Sequence, residues 1–300
     1  MRKAMSKPIE FRELALRIAS EKGYAAVIPV LEKELLHYVI LAALDEARLL
    51  ESLVFQGGTS LRLCYGSERF SEDLDFAGGK DFDEAQMGNI KEVLETAIAK
   101  RYDVEVKVEE PAQRVLEQGK LAQSSVKIDC WQIQVITSPG RPDNPQQKIK
   151  LEVAAVAAHT KSIRALIVNY KELPYGYSNI LIPVEEPEEI AADKLLALAT
   201  APYTRYRDIW DLRWLAVRPR FARERISALM DKKLEDYHIA GDFRQIATEF
   251  IAKLPNLIND DFVSFMRRFL SAETVSQTLE REAFREHLTE TLEELYRAFL

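Results

Sequence analysis

Apolar residues recur at helical spacing in two segments near the start of the chain, residues 8–20 and residues 26–50. In the second segment, Leu31, Leu35 and Tyr38 fall on one side of a helical projection. Side chains three or four residues apart share one face of a helix, so the pattern predicts two helices that each bury an apolar face.

Short apolar runs that end at glycine dominate the next part of the chain. Residues 53–57 (LVFQG) and 73–79 (DLDFAGG) predict two short strands, and residues 59–66 (TSLRLCYG) predict a short helix that ends at Gly66. Residues 82–102 return to the helical period and predict one amphipathic helix.

The period changes to two between residues 103 and 184, which predicts strands. The runs are DVEVKVEE, QSSVKIDCWQIQVI, QKIKLEVAAV, RALIVNY and ILIPV. From the EEPEE sequence at residues 185–189 to Leu300 the pattern is helical, and acids suit a helix N-terminus. The order predicts an α+β fold: a mixed sheet with flanking helices in a domain of residues 1–185, followed by an all-helical C-terminal domain of residues 186–300.

Composition limits the class of protein. The chain has 300 residues, of which 47% are hydrophobic and 30% are charged, as in globular proteins with a large core. Its net charge of −7 argues against a protein that coats nucleic acid by charge alone, although it leaves room for a local basic groove. The four histidines lie far apart, without zinc-ligand spacing.

Location is predicted from the cysteines and from the absence of long apolar runs. Cys64 and Cys130 do not form a disulfide framework and fit a reducing compartment. No apolar run approaches the roughly 18 residues that a membrane span needs, and the first residues lack the apolar core of a signal peptide. We therefore expect a cytoplasmic protein without membrane contact.

The first candidate site begins with a glycine pair. Gly57 and Gly58 allow a ligand to approach the backbone closely, and the helix that follows presents unpaired N–H groups and a positive dipole end. The hydroxyl groups of Thr59 and Ser60 add hydrogen-bond donors. Together these features are typical of a phosphate-binding loop, although a turn with a simple helix cap has the same residues.

A pair of acids follows this loop. Asp73 and Asp75 are two residues apart in a predicted strand, so their side chains point to the same face while Leu74 and Phe76 point to the other. Two carboxylates held close together repel each other unless a cation lies between them, and Mg²⁺ prefers such oxygen ligands. The alternative is an acidic surface strand, since other acids in the chain share this spacing.

The order of these residues resembles a known family. Gly57, Gly58, Thr59, Ser60 and Leu61, followed by RFSEDLDF at residues 69–76, resemble the GG[T/S]…DxD pattern of nucleotidyltransferases of the DNA polymerase β superfamily. More narrowly, the run is similar to the AbiEii/AbiGii-type toxin family, which includes the MenT toxins. The resemblance covers most of residues 50–215, and the last 85 residues resemble no family.

The resemblance implies a third metal-binding carboxylate on a neighbouring strand. Glu152 in KIKLEVAAV matches the family's strand, in which an acid follows alternating apolar residues. Asp129, in the strand-like run VKIDCW, is the alternative. A solvent-facing acid on a half-buried sheet would explain either residue without a function.

A further stretch, EEIAADKLLALATAPYTRYRDIWDL, resembles the family's A-x-K-L-x-A-L helix followed by R-D-h-x-D-L. The resemblance implies that Lys194 contacts nucleotide phosphates and that Asp208 or Asp211 is essential, with Asp208 favoured. In an unbroken helix Lys194 and Asp208 would be about 21 Å apart. Pro202 interrupts the helix, so a bend can bring the two residues together.

The resemblance therefore predicts a Mg²⁺-dependent nucleotidyltransferase. The predicted catalytic residues are Asp73, Asp75, Glu152, Lys194 and Asp208, of which the first three bind the metal. The predicted nucleotide-binding residues are Gly57, Gly58, Thr59, Ser60, Arg69, Ser71, Lys194, Arg207 and Asp211. The family implies a bacterial toxin–antitoxin or phage-defence toxin, with an NTP donor, the 3′ end of tRNA as acceptor, and a cognate antitoxin protein as partner.

Three alternatives remain at this point. The same pocket would serve a nucleotidyltransferase that modifies a small molecule such as an aminoglycoside, which suits an acidic protein. It would also serve a phosphotransferase that moves the γ-phosphate to a protein or to itself. A regulator that only binds NTP is the non-enzymatic alternative, against which the intact Asp73, Asp75 and Lys194 argue.

Overall fold

The structure is a computed structural model that describes residues 10–116, 126–137, 146–239 and 242–300. Its strands are β1 (Val54–Gln56), β2 (Leu74–Ala77), β3 (Glu105–Leu116), β4 (Val126–Ile136), β5 (Gln147–Ala154), β6 (Ser162–Ala165) and β7 (Leu181–Val184). They form one mixed sheet in the order β3-β4-β5-β2-β1-β7-β6. The pairs β2–β5 and β1–β7 are parallel and the other pairs are antiparallel.

The helices of the first part are α1 (Phe11–Lys22), α2 (Ile28–Glu46), α3 (Gly57–Tyr65) and α4 (Ile90–Tyr102). Leu31, Leu35 and Tyr38 are fully buried, as their spacing predicts. The helix predicted over residues 82–102 is interrupted: a short 3₁₀ turn ends at Gly88, whose φ of 53° is left-handed, and α4 begins after it.

The helices of the second part are α5 (Pro187–Thr200), α6 (Tyr206–Ala216), α7 (Glu224–Asp236), α8 (Phe243–Lys253), α9 (Asp260–Met266), α10 (Ala272–Gln277) and α11 (Glu282–Arg297). The α+β class with a helical C-terminal region is therefore confirmed. One hydrophobic core runs from Phe11 to Tyr296, across the predicted boundary at residue 185, so the division into two domains stays a prediction. None of the helices that the structure describes has the length and hydrophobicity of a membrane span.

Two hydrogen bonds connect segments that lie far apart in the sequence. The RALIVNY run leaves the sheet after Ala165, and the Ile167 carbonyl accepts a hydrogen bond from the Tyr38 hydroxyl on α2 (2.7 Å). The Phe70 amide, in the segment between α3 and β2, donates to the Phe269 carbonyl after α9 (2.9 Å). The C-terminal helices are thus bonded to the segment that carries Asp73.

Candidate active site

A row of polar residues crosses the middle of the sheet. In the strand register, Glu152 on β5 lies opposite Asp75 on β2, and Asp75 lies opposite Gln56 on β1. Residues directly opposite each other in a sheet project from the same face, so these three side chains share a face. Asp129 pairs with Val153 rather than with Glu152, so it belongs to the other face, and of these two acids only Glu152 shares the face of Asp75.

The glycine pair fits this row closely. Gly57 has a φ of 75°, and a Cβ atom at this position would lie 2.6 Å from Oδ2 of Asp75. A Cβ atom on Gly58 would collide with the guanidinium of Arg69 and approach the Ser71 hydroxyl to 3.0 Å. Only glycine therefore lets the start of α3 pack directly against the acidic strand.

The two hydroxyl groups after the glycines have partners inside the protein. Thr59 and Ser60 are fully buried. Thr59 donates a hydrogen bond to the Asp73 carbonyl, and Ser60 donates to the Gly57 carbonyl (2.9 Å). Neither hydroxyl is accessible to a ligand in this arrangement. The first-turn N–H groups of α3, which no side chain caps, are the donors left for a phosphate.

The acids of the row repel one another. Burial and, after it, the nearby carboxylates of Glu152 and Asp73 together raise the pKa of Asp75 to about 7, against the smaller opposing effect of Lys194 and Arg207. Asp73 is held by the Lys150 amide, which donates to its Oδ1 (3.0 Å). Three oxygen-ligand side chains that destabilise each other's charge fit a divalent cation, so Asp73, Asp75 and Glu152 suit Mg²⁺.

In the described chain these three acids do not form a set with all ligand atoms within 4.8 Å of one another. The set that does is Glu185, Glu189 and Asp193. The ammonium group of Lys233 already occupies the centre of that set, at 3.2, 2.7 and 2.8 Å from the three carboxylates. We therefore keep Asp73, Asp75 and Glu152, and not this second set, as the candidate metal site.

Because the pKa of Asp75 is raised, ionisation of this carboxyl lowers the free energy of unfolding of the protein without bound metal. The folded protein keeps this proton up to about pH 7, while the unfolded chain loses it near 3.8. The Asp75 contribution is therefore present at low pH and lost as the pH rises through 7. The full shift corresponds to about 4 kcal/mol. Because Asp75 is partly exposed, solvent screens its charge, and we expect a smaller effect than this.

We expect Asp75→Asn to unfold at a higher temperature than the wild type at pH 8 in EDTA, because the amide needs no proton. The difference should shrink toward zero at pH 4, where the wild-type carboxyl is protonated. Thermal melts at the two pH values measure this. A variant that melts at or below the wild-type temperature at pH 8 would contradict the predicted destabilisation by the Asp75 charge.

Lys194 lies between two carboxylates. Its Nζ is 2.6 Å from Oδ1 of Asp208 and 2.8 Å from Oδ2 of Asp211. Helix α5 ends at Thr200 and α6 begins at Tyr206, so the chain bends around Pro202 as the sequence predicts. Burial alone would lower the pKa of Lys194, but the two aspartates outweigh burial and raise it, so the ammonium stays charged.

Arg69 and Arg205 complete this cluster. Arg69 is buried and binds Asp211 with two hydrogen bonds of 2.8 and 2.7 Å, and Arg205 pairs with Asp208. Burial would raise the pKa values of both aspartates, but the surrounding cations outweigh it and hold them below their usual range. Three cations surround two carboxylates, which leaves the cluster one positive charge beside the acidic row.

Arg207 does not join the Lys194 cluster. Its Nη1 is 3.1 Å from Glu72, which also pairs with Lys33 at 2.9 Å. The Arg207 guanidinium stacks over Phe269, and Arg268 lies over the same ring. Neither Lys33 nor Glu72 was predicted from the sequence. The one sequence feature that could have indicated Glu72 is its position directly before Asp73.

A cavity of about 220 Å³ adjoins the acidic row. Asp75, Glu152, Lys194 and Arg205 line it together with Gly57. A second cavity of about 430 Å³ lies beside α4 and is lined by none of the predicted site residues. The smaller cavity is therefore the candidate site, since it adjoins a glycine turn and helix N-terminus for phosphate, two of the three predicted metal-binding carboxylates (Asp75 and Glu152) and a charged lysine. This combination of groups is typical of a nucleotidyl- or phosphotransferase.

Comparison with protein families identifies the class more closely. Residues 39–295 match the family described as nucleotidyl transferase AbiEii toxin, type IV toxin–antitoxin system. The chain therefore belongs to the AbiEii family of nucleotidyltransferase toxins, and the predicted resemblance is confirmed. The match extends over most of the C-terminal helices, which had no resemblance of their own.

Two solved structures were also compared. A protein from H. pylori assigned as a nucleotidyltransferase has 19% identity and a TM-score of 0.46, over 90% of this chain and 94% of that chain. JHP933 from Helicobacter pylori has 19% identity and a TM-score of 0.45, over 90% of this chain and 91% of that chain. The search of curated proteins found no match.

Proposed function

We propose that this toxin transfers a nucleoside monophosphate from an NTP to the 3′ end of an RNA acceptor of the tRNA class, in a Mg²⁺-dependent reaction. The observation that carries the proposal is the strand register that aligns Glu152 with Asp75, beside a glycine turn and a charged lysine. We place the reaction in the cytoplasm, where a cognate antitoxin restrains it.

Asp73, Asp75 and Glu152 would hold Mg²⁺, which lowers the pKa of the attacking hydroxyl and neutralises phosphate charge. The N–H groups after Gly58 bind the β- and γ-phosphates. Lys194 stabilises charge on the departing phosphates, and Arg205 stands beside it at the cavity. Asp208 and Asp211 hold the lysine in place, while Thr59, Ser60, Arg69 and Ser71 fix the loop around the glycine pair.

The reaction forms one bond and breaks one. The acceptor hydroxyl oxygen bonds to the α-phosphorus, the bond from that phosphorus to the bridging oxygen breaks, and pyrophosphate leaves with the electron pair. We place Glu152 on the acceptor side, where its carboxylate takes the hydroxyl proton. Catalysis rests on positioning and electrostatics, as in other phosphoryl transfers.

A local basic surface supports an RNA acceptor despite the net charge of −7. Lys33, Arg207 and Arg268 surround Glu72, which directly precedes Asp73. Their guanidinium and ammonium groups lie next to the acid row, where a backbone phosphate of the acceptor would approach. This surface favours an RNA over an aminoglycoside, which is a cation.

The test is incubation of the purified protein with Mg²⁺, total tRNA and each α-³²P-labelled NTP. We expect label on tRNA with at least one NTP, and none with Asp73→Ala or Lys194→Ala, because these variants lose a metal ligand and the phosphate-facing ammonium. Circular dichroism of both variants controls for folding.

The alternatives give different outcomes in the same assay. Label on an aminoglycoside but not on tRNA would replace the RNA proposal with a small-molecule acceptor. Transfer from γ-labelled NTP but not from α-labelled NTP would show phosphotransfer. NTP binding without transfer to any acceptor would leave a regulator, and the proposed function would be overturned.

A further inference from the structure

Two cationic side chains, Lys194 and Arg205, are among the described residues that line the cavity beside the acid row. The family resemblance implies a phosphate contact for Lys194 and gives Arg205 no role. The two side chains differ in their exposure and in the number of hydrogen-bond donors that a ligand can use. This difference shows which of them is better placed to hold a nucleotide.

Lys194 has little donor capacity left for a ligand. An ammonium group has three N–H donors. Two of them are taken up by Oδ1 of Asp208 (2.6 Å) and Oδ2 of Asp211 (2.8 Å). The Lys194 side chain is only 9% exposed. One donor therefore remains for a phosphate oxygen.

Arg205 keeps most of its donors. A guanidinium group has five N–H donors, and in Arg205 the Nε donor is bonded to Oδ2 of Asp208. Its terminal nitrogens, Nη1 and Nη2, make no hydrogen bond to any of the described residues. The side chain is 38% exposed and lines the cavity. Four N–H donors on two nitrogens are therefore available to a ligand.

Asp208 fixes the direction of this guanidinium group. Arg205 directly precedes α6, and its carbonyl accepts a hydrogen bond from the Asp208 amide (2.9 Å) while its Nε donates to the Asp208 carboxylate. The two residues are thus bonded through both backbone and side chain. Because the guanidinium is planar and rigid, fixing Nε also restricts where the terminal nitrogens lie, and little side-chain freedom is lost when they bind a ligand.

Phosphate is the ligand chemistry that matches this group. The two terminal nitrogens of an arginine can donate in parallel to two oxygens of one phosphate, and such charge-assisted bonds are stronger than bonds between neutral groups. Gly57, at the start of α3, lines the same cavity as Arg205. A polyphosphate that is bound by the first N–H groups of α3 therefore lies within the cavity whose wall contains Arg205.

We propose that Arg205 binds the triphosphate of the donor NTP through Nη1 and Nη2, and that Lys194 adds a single hydrogen bond beside it. The inference rests on the proposed function, since it assumes an NTP in the cavity. It adds Arg205 to the catalytic residues. It also gives Asp208 a second task, because the same carboxylate orients both cations.

The test measures the affinity of the protein for each of the four NTPs and for inorganic tripolyphosphate by calorimetry, with Mg²⁺ and without an acceptor. Arg205→Met should weaken the binding of NTP and of tripolyphosphate by at least about tenfold, because charge-assisted hydrogen bonds to phosphate are lost. Arg205→Lys keeps the charge but not the planar group, so its affinity should lie between those of the wild type and Arg205→Met.

Arg48→Met is the matched control. Arg48 pairs with Glu51 (2.7 Å) at the same spacing of three residues as Arg205 with Asp208, but it is 79% exposed and does not line the cavity. Both substitutions remove one positive charge, so an effect of net charge alone would appear in both. We expect wild-type affinity in Arg48→Met. A thermal melt of each variant shows whether it is folded.

Wild-type affinity in folded Arg205→Met would overturn the inference, as would an equal loss in Arg48→Met or a loss that affects NTP but not tripolyphosphate. If Arg205→Met does not fold, Arg205→Lys decides, and wild-type affinity in that variant overturns the inference. Binding is measured without an acceptor, so a failed tRNA assay with binding that depends on Arg205 overturns only the proposed acceptor. If the wild type binds no NTP, the proposed function and this inference fall together.

Discussion

Glu152→Gln should reduce nucleotidyl transfer by at least about a thousandfold, which corresponds to ~4 kcal/mol of activation free energy. The glutamine keeps the size of the side chain but removes one of the three negative charges that face a metal ion. It also removes the carboxylate to which we assign the acceptor proton. Transfer of α-labelled nucleotide under saturating NTP and acceptor measures this change.

Asp129→Asn is the matched control, because Asp129 was the other acid that the sequence offered on a neighbouring strand. It lies opposite Val153, one residue from Glu152, and is therefore on the other face of the sheet. Its contact with Lys127 at 3.2 Å lies outside the candidate site. We expect less than a tenfold loss. A larger loss in Asp129→Asn than in Glu152→Gln would show that the third acid is wrongly assigned.

Lys194→Met should abolish transfer and also destabilise the fold. Removing one partner from a buried ion pair costs about 3–5 kcal/mol, because the remaining charges stay buried. Asp208 and Asp211 would each keep one arginine, Arg205 and Arg69, so we expect the lower end of that range. Urea unfolding and the transfer assay measure the two effects separately.

The double variant Lys194→Met with Asp208→Asn separates stability from chemistry. Neutralising Asp208 removes its repulsion with Asp211, so the double variant should unfold at a higher urea concentration than Lys194→Met alone. Transfer should stay absent in both, because neither has the ammonium group. Recovery of activity in the double variant would contradict a direct role for Lys194 at the phosphates.

Local patterns predicted the elements that carry the acidic row. The alternation in DLDF gives β2 its two faces, and the glycines before α3 match the left-handed turn at Gly57. The break at Pro202 correctly predicted that Lys194 meets Asp208. These features succeed because each depends on a few neighbouring residues whose geometry is nearly fixed.

Features that depend on distant contacts were not predicted. Glu185, Glu189 and Asp193 are four residues apart and so share one side of the chain entering α5, but the sequence indicated only that acids at residues 185–189 suit a helix N-terminus. Their partner, Lys233, is 40 residues beyond Asp193. The hydroxyls of Thr59 and Ser60 were predicted to face phosphates, yet both are turned to backbone carbonyls. Sequence spacing does not show which of several polar partners a buried group will take.

The hydrogen bond from the Phe70 amide to the Phe269 carbonyl joins the segment that carries Asp73 to the C-terminal part of the chain. The segment from Arg69 to Asp73 has no regular secondary structure of its own, so much of its order comes from such contacts. Opening of the C-terminal helices would remove one of the contacts that order this segment. Exchange of these helices for those of another protein would therefore also remove a backbone contact of the segment that carries Asp73.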